Sequence, residues 1–141
     1  MDDATTDFNR EPSAPVLFSV EDANALLPRL IPILTELRDR KAELDQVQRS
    51  LAELTPSMQA NGHGAEAATL ERRLRDVATG ITNRVRAIAV MGVEVKDLDH
   101  GLIDFPSLRA GRIVYLCWRL GEGAIANWHE LDGGFAGRQP L

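Results

Sequence analysis

Two different hydrophobic periods divide the chain. Leu30, Leu34, Leu37, Leu44, Val47, Leu51 and Leu54 recur at three- and four-residue steps, with one step of seven, which lines one face of a helix. Arg38, Asp39, Arg40, Lys41, Glu43 and Asp45 fill much of the remaining surface. Pro28 and Pro32 sit at the head of this run, and each lacks an N–H and crowds the turn before it. The pattern therefore predicts a short helix over 20–27, a break or kink, and a long helix from about 29 to 54. Ser19 is a suitable N-cap, with Glu21 and Asp22 placing negative charge in the first turn. Phe18 can staple onto the turn that follows. Pro56, Gly62 and Gly64 make 55–64 a loop. A second stripe of Leu70, Leu74, Val77, Ile81, Val85 and Ile88 predicts a helix over 65–91. Gly80 within it costs roughly 1 kcal/mol relative to Ala and leaves room for another helix to approach.

After Gly92 the period falls to two. Val93-Glu94-Val95-Lys96 alternates as a half-buried strand, Leu102 to Phe105 forms a second strand that Pro106 stops, and Arg112 to Arg119 carries the strongest strand signal. A turn over 121–123 leads to a fourth strand over Ile125 to His129. Residues 132–138 are too glycine-rich for a regular element. The fold class is α+β: a long antiparallel helical hairpin followed by a small three- or four-stranded antiparallel meander. Residues 1–16 form a disordered acidic tail and 17–141 a single domain, with the hairpin over 17–91 and the meander and C-terminal tail over 92–141. A helix of about 26 residues runs roughly 39 Å, whereas a short strand covers about 17 Å. The sheet cannot roof both helices, so a homodimer through the hairpins is expected.

Composition narrows the function. The 141 residues are 44% hydrophobic, enough for a core, and carry 16 Lys+Arg against 21 Asp+Glu. The net charge of −5 is concentrated in residues 1–22, which argues against general nucleic-acid binding. No apolar run is long enough for a membrane span. The single cysteine excludes an internal disulfide, and the expectation is a soluble, cytoplasmic protein.

Chemistry-bearing side chains crowd into residues 97–138. Pairing strand 112–119 with 125–129 across the 121–123 turn places Cys117 opposite His129 and Trp118 opposite Trp128. Val114, Leu116, Trp118 and Trp128 then face the helices, while Tyr115, Cys117, Arg119, Asn127 and His129 share the other face. Three readings of that second face stand open. His129 activates the Cys117 thiol as a nucleophile; Cys117 and His129 ligate a divalent metal with Asp104 or with a residue of a second subunit; or Cys117 is a small buried hydrophobe and His129 a hydrogen-bonded strand-end residue. Glu122, about 16 Å along the strand from Cys117, is expected in the exposed turn or reaching across a dimer. Arg112, Arg119 and Arg138 are candidate substrate-binding groups for a carboxylate or phosphate, or else they pair with Asp104, Glu130 or Asp132. The turn Asp97-Leu98-Asp99-His100-Gly101 lacks the spacing of a calcium loop. His63 and the Arg72, Arg73, Arg75 cluster read as solvated.

Several segments taken together carry a resemblance. Phe18-Ser-Val-Glu-Asp-Ala-Asn-Ala-Leu-Leu-Pro, Gly101-Leu-Ile-Asp-Phe-Pro, Gly111-Arg-Ile-Val-Tyr-Leu-Cys-Trp-Arg-Leu-Gly-Glu and Trp128-His-Glu-Leu-Asp-Gly-Gly-Phe resemble the bacterial "domain of unknown function 2203". The resemblance implies a small bacterial cytosolic protein and directs attention to Asp104, Arg112, Cys117, Trp118, Glu122, Trp128, His129 and Arg138. It assigns none of them a role. The leading expectation is an assembly or interaction module that dimerises through its hairpin. The alternative is a small metal- or thiol-dependent enzyme centred on Cys117 and His129.

Overall fold

The computed structural model describes residues 16–141; the acidic tail expected over 1–16 lies, except for Val16, outside the described residues. Ser19 caps helix α1 (Val20–Glu53) by accepting the Asp22 N–H at 3.0 Å. Contrary to the expected break, α1 runs through Pro28 and Pro32 without interruption. Both prolines face solvent, while Ala23, Leu27, Leu30, Leu34 and Leu37 continue a buried stripe past them. A buried leucine contributes about 1.5–3 kcal/mol, so the stripe outweighs the roughly 3 kcal/mol that an interior proline costs. Thr55 caps a short turn at Pro56–Met58, and the chain reverses at Asn61 and Gly62 into helix α2 (Gly64–Val90). The space beside Gly80 admits a side chain rather than a helix backbone. Arg84 donates there to the Gly80 carbonyl at 3.0 Å and reaches Glu36 of α1 at 2.7 Å.

Gly92, at φ +91°, turns α2 into the sheet; a Cβ at this position would lie 2.7 Å from the Val16 Cβ. Five antiparallel strands follow in the order β1-β2-β3-β4-β5: β1 (Glu94–Asp97), β2 (Leu102–Arg109), β3 (Arg112–Arg119), β4 (Asn127–His129) and β5 (Gln139–Pro140). The fifth is a two-residue strand that escaped the sequence pattern because it borrows its partner from β4. Strand β2 does not stop at Pro106. The four-residue β1 ends before it, so the missing proline N–H has no ladder partner to lose. On that free flank the Pro106 carbonyl accepts the Phe18 N–H at 2.7 Å, and Ser107 Oγ donates to the Phe18 carbonyl at 2.6 Å.

The β3–β4 register corrects the expected one by two residues: Tyr115 faces His129, Leu116 faces Trp128, and Cys117 faces Asn127. Strand β4 is shorter than expected because Ile125 gives its N–H to Asn24 Oδ1 of α1 at 2.8 Å instead of to the ladder. A two-residue slip preserves side-chain parity. Ile103, Phe105, Val114, Leu116, Trp118 and Trp128 therefore still pack with Leu27, Leu30, Leu34, Leu37, Ile81 and Ile88 in one core. Beyond that core the helices outrun the sheet: the 34 residues of α1 extend about 51 Å, against about 27 Å for an eight-residue strand. Between Leu37 and Val77, only Val47 and Ala67 are buried among the described residues. No described helix is long and apolar enough to cross a membrane.

Stability should therefore concentrate at the sheet end of the hairpin. Leu34→Ala is expected to cost about 2–5 kcal/mol and Leu51→Ala less than half as much, measured by urea unfolding.

Candidate metal centre

Side-chain parity delivers three different donor types to the outer face of the sheet. Asp104 of β2 lies opposite Cys117 of β3, and His129 enters from β4. The carboxylate oxygen, thiol sulfur and imidazole nitrogen all lie within 4.8 Å of one another, and all three residues are buried. The sequence-derived trio is thus brought together, although His129 is hydrogen-bonded to Asp104 rather than to Cys117.

The hydrogen bonds settle the imidazole tautomer. His129 Nδ1 lies 2.7 Å from the Glu130 carbonyl, which can only accept, so Nδ1 carries a proton. Nε2 points at Asp104 Oδ2 at 3.0 Å, and one proton must lie between these two atoms. Burial raises the Asp104 pKa above the usual carboxylate range while His129 opposes that rise, so the proton is shared within a tight pair. The second oxygen, Asp104 Oδ1, is buried with no hydrogen-bond partner, a loss worth about 1–3 kcal/mol. Burial, reinforced by the Asp104 charge, pushes the Cys117 thiol up to about 12. A free thiolate at neutral pH is therefore disfavoured, which weighs against the nucleophile reading.

The same geometry suits a cation. A histidine whose Nδ1–H is held by a backbone carbonyl presents an oriented Nε2 lone pair, the usual support of a metal-ligating imidazole. Sulfur, nitrogen and carboxylate oxygen together match the preferences of zinc. Zinc bonds of ordinary length would place the donors about 3.3–3.8 Å apart, inside the 4.8 Å limit the three atoms already meet and slightly wider than the 3.0 Å contact between His129 and Asp104. A cavity of about 210 Å³ opens onto Asp104 and His129, with Lys96, Tyr115, Asp132 and Phe135 among its walls. Tyr115 donates its hydroxyl to Glu94 at 2.9 Å, and Lys96 reaches the same carboxylate at 2.7 Å. Glu94 and Lys96 escaped notice as site neighbours; extending the outer-face parity from β2 to β1 would have found them.

The remaining candidates separate. Arg112 pairs with Glu130. Glu122 is not a free turn residue: it takes the Arg138 guanidinium at 2.9 and 3.0 Å and the Arg119 N–H at 2.8 Å. Arg138 also reaches the Cys117 carbonyl at 3.4 Å. Arg119 holds no carboxylate among the described residues; its guanidinium lies 5.5 Å from the Phe135 ring centroid. His63 pairs with Glu66, Arg73 with Glu43, and His100 with Asp97, all exposed or partly so.

The family model of an uncharacterized conserved protein (DUF2203) matches residues 16–141, and the chain belongs to that family. No curated protein and no solved structure matches the chain.

The Glu122–Arg138 pair gives a pH signature. Hydrogen bonding to Arg138 holds Glu122 below its ordinary pKa, so its contribution is present above the unfolded value near 4.3 and is lost as pH falls through the folded value. Glu122→Gln is expected to lower the urea midpoint at pH 7, and the gap from the parent protein should narrow as pH falls below the ordinary glutamate range and vanish once folded Glu122 is protonated.

Proposed function

We propose that the protein is a small zinc-dependent enzyme in which Asp104, Cys117 and His129 hold one ion. The carrying observation is three buried donors of three kinds within 4.8 Å of one another, beside a cavity that opens onto two of them. Three protein ligands with an open side are the pattern of catalytic zinc sites, whereas structural sites close with four. A zinc ion there would supply Lewis acidity toward a molecule in the cavity. The chain's own contribution is positioning. The Glu130 carbonyl orients His129, the unpartnered Asp104 Oδ1 gains a use, and the proton shared by Asp104 and His129 leaves, together with the Cys117 proton, as the ligands engage. Leu131 and Phe135 wall the approach and limit water. A bacterial cytosol fits this reading, since a ligand thiol must stay reduced. Nucleic acid does not, given the net charge of −5.

Untagged protein purified without chelator should contain about one equivalent of zinc. Cys117→Ala and His129→Ala should each weaken zinc binding at least about a hundredfold, with circular dichroism verifying the fold. Metal-free protein that also fails to take up added zinc, or full retention in the Cys117→Ala variant, would overturn the reading.

A homodimer through the hairpin is a compatible second reading. It is supported by Leu44, Leu51, Leu54, Leu70 and Leu74, which stay half-exposed where the helices outreach the sheet. Sedimentation at tens of micromolar should give twice the chain mass; a monomer there excludes it.

A further inference from the structure

A second cavity of about 230 Å³ adjoins the one at the metal centre, and the two share Leu102 and Phe135 as walls. Each alone is below the roughly 300 Å³ at which ordinary ligand pockets begin, and together they enter that range. Arg119 lines the second cavity. It lies two residues beyond Cys117 on the outer face of β3, so the two backbones stand about 7 Å apart.

Charge bookkeeping singles out this arginine from the three that the sequence nominated. Glu130 occupies Arg112 and Glu122 occupies Arg138, while Lys96, at the first cavity, is held by Glu94. Arg119 has no acidic partner among the described residues and rests beside the Phe135 ring, which leaves its N–H edge free for a planar, two-pronged acceptor. The one carboxylate on the same wall, Asp97, is already taken up by the His100 ring at 2.8 Å and by the Asp99 N–H at 2.9 Å. Leu102 and Phe135, lying between the two polar ends, suit a short carbon chain.

We infer that the substrate is a small organic acid whose carboxylate docks on Arg119 while its reacting end reaches the Asp104–Cys117–His129 centre. This inference rests on the metal reading, and its test separates the two. Protein loaded with cobalt in place of zinc is titrated with mercaptopropionate and with propanethiol, neutral but similar in length, following the change in the cobalt absorption spectrum. Mercaptopropionate should bind at least about tenfold tighter. Arg119→Gln should erase that preference and leave propanethiol affinity unchanged; because Arg119 is exposed, the substitution leaves the core intact. If cobalt binds and the two thiols show equal affinity, or if the preference survives Arg119→Gln, the anion subsite is wrong while the metal centre stands. Failure to take up cobalt at all ends both.

Discussion

Strand β3 is buried on its inner face and, at Cys117, on its outer face as well, and the character of this small protein follows from that. Its inner side chains, Val114, Leu116 and Trp118, are sealed by the helices. The segment after β4 lies over the outer side, where Phe135 sits beneath Arg119 and Arg138. A sheet on one layer of helices would ordinarily leave its outer face wet. Here Asp104, Cys117 and His129 are taken out of water instead, at 2%, 0% and 2% exposure. Desolvation raises the carboxyl and the thiol together, and the 3.0 Å contact between Asp104 and His129 holds one proton between them. Polar groups held at such cost, with one oxygen left unpartnered, are what the metal proposal rests on.

The helical hairpin has a different logic at each end. Near the sheet, Leu27, Leu30, Leu34, Leu37, Ile81 and Ile88 bury against strands as well as against each other, and this shared burial tolerates two interior prolines. Beyond Lys41, which pairs with Asp99 of the β1–β2 turn at 3.1 Å, the helices pack mainly on one another. Arg73 pairs with Glu43 there, as Arg84 pairs with Glu36 nearer the sheet, but exposed pairs of this kind contribute about 0–1 kcal/mol each. The hairpin is therefore a firmly rooted stem with a weakly packed tip, and the catalytic candidate sits on the far side of the sheet from it.

Much of this was legible in the residues themselves. Helix and strand periods follow from side-chain geometry alone, so the α+β order, the Ser19 cap and the inward set of Val114, Leu116, Trp118 and Trp128 could be read directly. Cys117 and His129 still share the outer face despite a register error, because parity repeats every two residues. The errors have one cause in common: each lies where a local rule was overruled by a distant partner. Pro28 and Pro32 should have broken α1, but the sheet-facing stripe held it. Pro106 should have ended β2, but that flank was open to Phe18. Asn24 captured Ile125 and shortened β4.

Element type and face were thus determined by the sequence by itself, because both depend only on spacing along the backbone. The tertiary structure alone decided how the charges were shared out. It gave Glu122 to Arg138 and Glu130 to Arg112, left Arg119 without a carboxylate among the described residues, and turned His129 toward Asp104 instead of Cys117. Pairing between side chains depends on distances of about 3 Å and on the exclusion of water, and both are set only when separate strands and the closing loop come together.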